Sequence, residues 1–396
     1  MTVVKIENVD IVFGDNKAET LPLMDKGHTR DQIIGMTGDV VGVQNANIEV
    51  NEGEICVLMG LSGSGKSTLL RAVNGLNKIA RGRCLVRDGD AMVDMAKCDD
   101  TKLRHMRTRR VSMVFQSFAL MPWLTVLENV AFGLEMQGMP KIERLKKARE
   151  QLKMVSLDKW ADKKPDELSG GMRQRVGLAR AFAMDTDVLL MDEPFSALDP
   201  LIRSQLQDEL IELQKRLNKT IIFVSHDLDE ALKIGSKIAI MESARIIQED
   251  TPEQIVLNPA TEYVERFVAH TNPLNVLCGD SLMTPLAQLA IKDHRIAVSD
   301  DISMSLKNGK LASVQGPKGD IPTARWTPET LLATVPENTV FIVPANIGMR
   351  DAVELRYHSN MFLVLEDKDQ CIGILNDHNF YHALLGKHFG REDTAA

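Results

Sequence analysis

Residues 47–73 read NIEVNEGEICVLMGLSGSGKSTLLRAV, and this stretch constrains the fold more than any other. Its apolar spacing gives two strands around a turn, and the second strand runs straight into a loop carrying Gly60, Gly63 and Gly65. A helix is predicted to follow from Ser67. A strand that empties into a glycine loop and then a helix is the layout of a phosphate cradle. Without side chains the backbone can wrap an anion with its N–H groups pointing inward, and the helix adds its positive N-terminus. The run Gly60-Leu-Ser62-Gly63-Ser64-Gly65-Lys66-Ser67 satisfies GxxxxGK[ST]. In that reading Lys66 reaches the β- and γ-phosphate oxygens of ATP and Ser67 ligates Mg2+.

The neighbouring sequence supplies a sheet for this loop. DVLLMDEP at 187–194 and TIIFVSHD at 220–227 are apolar runs too short for helices and too uniform for exposed strands. They read as strands buried on both faces, with a helix over 200–217 between them, which implies a layered α/β sheet. Asp192 and Glu193 end the first run. Two adjacent acids closing an apolar strand downstream of a phosphate loop point to a cation nearby. Asp192 would hold Mg2+ through water, and Glu193 would orient or deprotonate the attacking water. The alternative is a solvated DEP turn. His226 ends the second run at the carboxyl edge of the sheet, where ligands of such folds bind, and is read as a γ-phosphate contact against a satisfied structural histidine. Gln116 closes VSMVFQ and begins a loop; periodicity alone makes it an ordinary strand-end amide.

Residues 3–13 alternate as a first strand. Residues 15–40 interrupt the pattern with Gly14 just before them and Pro22, Gly27, Gly35 and Gly38 within. Inside that insertion Thr29-Arg30-Asp31-Gln32 fits a capping box, so TRDQIIGM is predicted as a short helix. KIERLKKAREQLKMV at 141–155 is a charged helix on a helical subdomain of about 117–180. The 396-residue chain has a net charge of −8, which argues against a nucleic-acid binder held by a general basic field. No apolar stretch is long enough to cross a bilayer, and MTVVKIENVDIVF lacks the basic and apolar regions of an export signal. Five scattered cysteines form no CxxC pair and read as reduced thiols.

With these pieces in order, the chain resembles the ATP-binding subunits of ABC transporters over residues 1–272. GLSGSGKST, Gly60 to Thr68, is similar to their Walker A motif and VLLMDEP to Walker B with its catalytic glutamate. Gln116 matches the Q-loop, Ser196-Ala197-Leu198-Asp199 the D-loop, His226 the switch histidine, and LSGGM at 168–172 the signature that other P-loop ATPases lack. The resemblance implies a P-loop NTPase fold with a helical subdomain, and catalytic roles for Glu193, His226 and Gln116. It implies Mg2+ among Ser67, Gln116 and Asp192. It also implies a head-to-tail dimer in which each ATP meets the P-loop of one subunit and Ser169, Gly170, Gly171 and Asp199 of the other. On its residues alone, Ser169 reads as the N-cap of a helix over 170–184; both readings can hold, since capped helix N-termini bind anions. Phe13 holds the place of the aromatic that stacks on adenine in this family, against a core aromatic of the first sheet.

The TRDQIIGMTG segment and MRTRRVSMVFQSFALMPWLTVLENVAFGLEMQG are similar to importers of quaternary-amine osmoprotectants: choline, glycine betaine, carnitine. That resemblance implies a multi-spanning permease partner, a periplasmic or surface binding protein acting indirectly, and a peripheral place on the cytoplasmic face of a bacterial inner membrane. The competing classes are a soluble ABC ATPase of repair or translation and a small-molecule kinase. The first would carry long coiled coils or a second motif set, and the second leaves LSGGM and SALD unexplained.

Residues 273–396 form a separate region. From 276 to 335 periodicity is weak and turn residues are many. From 340 to 386 a β-α-β-β-α pattern returns, resembling one CBS module. Nucleotide-binding modules read G-[IV]-[VI]-T-x-x-D there; this chain has Asn376 and Asn379 at the Thr and Asp positions. An interaction or dimerisation module is therefore favoured over a nucleotide sensor. An ionic-strength sensor is the third option, but its basic patch is not evident.

Overall fold

A computed structural model describes residues 1–116, 119–196, 198–269, 271–292, 295–332 and 335–385. The chain divides into two compact units, Met1–Pro252 and Glu253–Ala396, so the second unit starts earlier than the change of composition near 272.

The first unit holds two sheets. In the smaller one, β1 (Thr2–Phe13) lies between β2 (Val40–Asn51) and β4 (Arg81–Asp88), with β5 (Ala91–Asp94) at the edge, all antiparallel. The larger sheet has the order β10-β9-β3-β8-β7-β6. Its strands are β3 (Ile55–Met59), β6 (Val111–Val114), β7 (Val188–Asp192), β8 (Thr220–Val224) and β9 (Lys237–Glu242), with β10 (Arg245–Asp250) the antiparallel edge. Every residue of β3, β6, β7 and β8 is buried, as expected of parallel strands covered on both faces. The helix α3 (Lys66–Val73) adds Leu69, Leu70, Ala72 and Val73 to the core shared by the two sheets.

Three helices, α5 (Val126–Met136), α6 (Lys141–Met154) and α7 (Gly170–Ala183), pack around Val130, Leu134, Leu152, Val176 and Ala179. Thr125 and Glu128 close a capping box that fixes the start of α5. The helix α8 (Pro200–Leu217) begins on Asp199 and ends at Asn218, which takes the left-handed conformation common to helix C-termini.

The insertion forms two helices. Besides the predicted one, α2 (Arg30–Thr37) with its Thr29–Gln32 capping box, there is α1 (Lys17–Asp25), which tolerates Pro22 in its interior. A buried carboxylate closes the base of this insertion. Asp39 accepts from the Asn16 N–H at 3.2 Å and the Thr20 hydroxyl at 2.9 Å. Gly14, at φ +132°, leaves room for it: a Cβ there would lie 2.0 Å from Asp39 Oδ1.

In the second unit, Val340–Pro344, Leu363–Asp367 and Gln370–Leu375 form a sheet with short flanking strands, packed on the helices Met349–Ser359 and Asp377–Leu385. The weakly patterned stretch before it is more ordered than its sequence suggests. Strands at 291–292, 295–297, 303–307, 310–316 and 319–321 make a five-stranded antiparallel sheet. Its strands are two to seven residues long, too short to show a period.

Candidate functional site

Four adjacent parallel strands of the larger sheet, β3, β8, β7 and β6, end on one edge. The glycine loop follows β3, His226 lies just beyond β8, Asp192 and Glu193 close β7, and Gln116 follows β6. Strand order therefore gathers residues that are far apart in sequence, at the edge where α/β sheets bind ligands.

The loop needs its glycines. Gly60 has φ +139°, and a Cβ on it would meet the Met241 carbonyl at 2.1 Å; Gly65 has φ +105°, and its Cβ would meet the Gly42 carbonyl at 2.4 Å. Lys66 is buried at the start of α3 and donates to the Gly60 and Leu61 carbonyls at 2.8 and 2.9 Å. Burial lowers its pKa, partly offset by the Glu193 and Asp192 carboxylates. The Ser67 hydroxyl donates to Asp192 Oδ1 at 2.6 Å, and Arg71 Nη2 pairs with Asp192 Oδ2 at 2.8 Å. Arg71 stands four residues after Ser67, on the same helix face, so one fully buried carboxylate is held by both side chains.

Glu193 has φ +47°, a left-handed conformation that costs a non-glycine residue about 1–3 kcal/mol. Its N–H donates to the Val224 carbonyl at 3.1 Å. Its Oε2 accepts from Gln116 Nε2 at 3.2 Å and lies 3.2 Å from His226 Nδ1. The His226 turn is itself braced, since the Asp227 N–H donates to Ser225 Oγ at 3.0 Å and Ser225 Oγ donates to Glu230 at 2.5 Å. A carboxylate, an amide and an imidazole thus meet in one cluster, able to hold and deprotonate a water.

One cavity of about 540 Å³ collects Phe13, Ser62, Gly63, Gly65, Lys66, Ser67, Thr68, Gln116, Glu193 and His226. Phe13 is 44% exposed there, which excludes it from the core of the first sheet. It leans on Gly42, where a Cβ would come within 2.7 Å of its ring. Ser64 is buried in the loop, and Gly60 and Asp192 support the cavity from behind.

Ser169, Gly170, Gly171 and Asp199 do not line this cavity. The Ser169 hydroxyl accepts from the Met172 N–H at 3.3 Å as the N-cap of α7, and Asp199 Oδ1 accepts from the Ile202 N–H at 3.0 Å at the start of α8. A Cβ on Gly170 would meet nothing within 4 Å, so the first turn of α7 is open. Ala197, between Ser196 and Asp199, lies outside the described residues, as do Ser117 and Phe118 just past Gln116.

Sequence reasoning missed three side chains. Arg71 could have been found by its spacing from Ser67. Gln174, buried in α7, donates to the Pro194 carbonyl, directly after Glu193; nothing in LSGGMRQR marks that contact. The third, Arg30 of α2, lines the nucleotide cavity.

Comparison with known proteins finds relatives of the chain. The sequence profile of the ABC transporter family matches residues 43–196. The chain is 48% identical over 297 residues to the glycine betaine transport ATP-binding protein OpuAA of Bacillus subtilis (strain 168), covering 75% of this chain and 70% of that protein. It is 51% identical over 263 residues to the glycine betaine/proline betaine transport system ATP-binding protein ProV of Salmonella typhimurium, covering 66% of this chain and 65% of ProV. The carnitine transport ATP-binding protein OpuCA of Listeria monocytogenes is 32% identical over 359 residues, 85% of this chain and 87% of its own length. Among solved structures, a dimeric post-hydrolysis state of the ATP-binding cassette MJ0796 bound to ADP and Pi superposes with a TM-score of 0.54 at 32% identity. It covers 63% of this chain and 98% of the other.

Proposed function

The chain belongs to the ATP-binding proteins of ABC transporters, and from that membership we propose that it hydrolyses ATP to power import of a quaternary ammonium osmoprotectant, such as glycine betaine, choline or carnitine. The observation that carries the hydrolytic part is the cluster of Gln116, Glu193 and His226 in the same cavity as Lys66. The substrate part rests on the relatives.

Lys66 and the loop amides hold the β- and γ-phosphates, Glu193 takes a proton from the attacking water, and His226 contacts the γ-phosphate. Mg2+ supplies charge neutralisation between the phosphates. The chain fits that ion, because Ser67, Gln116 and Asp192 offer only oxygen ligands, and magnesium uses one or two carboxylates together with substrate phosphates. Each Asp192 oxygen accepts one hydrogen bond, from Ser67 or Arg71, and keeps a lone pair with which it would hold the ion through a water.

Phe13 stacks on the adenine. Phe13→Ala should weaken ATP binding by about 5- to 150-fold (1–3 kcal/mol) and Phe13→Tyr should not; equal affinities in a titration would end that assignment.

The partners are a second copy, whose Ser169, Gly170, Gly171 and Asp199 reach the nucleotide held here, and a membrane permease docked at the segment 117–135. A substrate-binding protein acts indirectly, recognising the cation by an aromatic cage. No described helix is long and apolar enough to cross a membrane, and attachment to the cytoplasmic face runs through the permease.

The CBS-like unit at 340–386 serves interaction. Asn376 and Asn379 spend their side chains on each other's backbone at 3.3 and 2.8 Å, and Asn379 Nδ2 donates to the Leu282 carbonyl at 2.6 Å. A nucleotide would have to displace these bonds.

The reading is tested in proteoliposomes holding this chain with its copurifying permease and binding protein. ATP-driven uptake of a labelled quaternary amine is expected, and none with Lys66→Ala. Uptake of only other solutes would overturn the substrate, and copurification with DNA or ribosomes in place of a permease would overturn the transporter.

A further inference from the structure

The insertion between β1 and β2 brings a cation to the nucleotide. The Thr29–Gln32 capping box sets Arg30 as the first residue of α2, and Arg30 Nη1 donates to the Gly63 carbonyl of the phosphate loop at 2.9 Å. Its side chain lines the same cavity as Lys66 and Phe13. Its Nε is buried and makes no hydrogen bond. A guanidinium has five donors in a fixed fork suited to phosphate oxygens. One is placed on Gly63, so the fork is oriented with donors to spare.

The scaffold behind Arg30 is rigid. Ile33 of α2 is buried with Val12, Met24, Val41 and Ala244. Arg81 of β4 grips Asp25, at the end of α1, through both terminal nitrogens at 2.9 and 2.7 Å, and Asp10 of β1 through Nε at 2.6 Å. With the Asp39 clasp closing its base, the insertion is held to the sheet by Arg81 and by the packing of Ile33, so Arg30 is positioned before any ligand arrives.

We propose that Arg30 is a further nucleotide-binding residue, a second cation beside Lys66 that takes the phosphate groups of a nucleoside di- or triphosphate from the insertion side of the cavity. The phosphate end follows from its anchor, since Gly63 belongs to the phosphate loop while Phe13 is assigned to the base. The inference rests on the ATP-binding reading of this site.

The test is equilibrium binding of adenosine, AMP, ADP and ATP with Mg2+ to the full chain, for wild type, Lys66→Ala, Arg30→Gln and Arg30→Lys. Glutamine removes the charge and, two bonds shorter than Nη1, reaches less far toward the Gly63 carbonyl, whereas lysine keeps the charge. Arg30→Gln should weaken ATP and ADP about ten-fold or more, leave adenosine unchanged, and keep the wild-type melting temperature; Arg30→Lys should recover part of the loss. Wild-type ATP affinity in Arg30→Gln, or an equal loss for adenosine, would reduce Arg30 to a tether of the loop and overturn the proposal. If Arg30→Gln melts early, Arg30→Lys decides alone: a loss larger for ATP than for adenosine supports the fork, and no loss or an equal one overturns it. Binding by wild type that Lys66→Ala removes keeps the site reading intact whatever Arg30 does, whereas failure of wild type to bind ATP removes both.

Discussion

Glu193→Gln is expected to lower steady-state ATP turnover by about 10²–10⁴-fold while ATP affinity stays near that of wild type. The substitution keeps the shape of the side chain and a carbonyl oxygen for Gln116 Nε2, now 3.2 Å from Glu193 Oε2. It removes the oxygen proposed to take the proton of the attacking water. The contacts assigned to nucleotide binding are elsewhere: Lys66 on the loop carbonyls, and Ser67 on Asp192. Losing the Glu193 charge also removes one of the two carboxylates that raise the Lys66 pKa against its burial, a change that a pH series of ATP binding would register as earlier loss of affinity on the alkaline side. Turnover and equilibrium binding together check the prediction. Undiminished turnover would remove Glu193 from the role of base, and a matching loss of binding would make it a binding residue.

The second large effect is restoration of activity by mixing two inactive chains. Lys66→Ala disables the phosphate loop, and Gly170→Asp disables the first turn of α7. The second variant is chosen to fold, because a Cβ at Gly170 meets nothing within 4 Å and an acidic residue in the first turn of a helix is worth about 0.3–1 kcal/mol. What it should not tolerate is a phosphate at that turn. In a head-to-tail pair the two defects of a mixed dimer fall in one composite site, and the other site is whole. A 1:1 mixture should therefore recover about a quarter of wild-type turnover, from half the pairs being mixed and one site in two intact, where each variant alone is nearly inactive. If Ser169, Gly170 and Gly171 served their own chain's nucleotide, mixing would recover nothing.

Much of the site is legible in the sequence because its residues sit at strand ends, and strand ends are visible where apolar runs stop. The five-residue runs of β7 and β8 mark Asp192, Glu193 and His226 by their termination alone. The meeting of Gln116 with Glu193, 77 positions away, is not legible, since it depends on β6 lying next to β7 in the sheet. Contacts across helices are hidden for a related reason. Gln174 touches Pro194 only because α7, packed against β6, reaches the turn that follows the neighbouring β7, and a helical repeat says which face is buried without saying against what. The helix α1 was obscured by Pro22, a residue that as a rule ends helices. In the second unit, strands of two or three residues have no period to read.

Were two chains paired head to tail, the bond between Gln174 and the Pro194 carbonyl would join the two half-sites that each chain contributes. The helix it belongs to starts at the turn proposed for the neighbour's ATP, and the carbonyl it holds belongs to the residue after Glu193, the proposed base of this chain. A chain parted from its twin would lack the second half of its site and idle without wasting ATP.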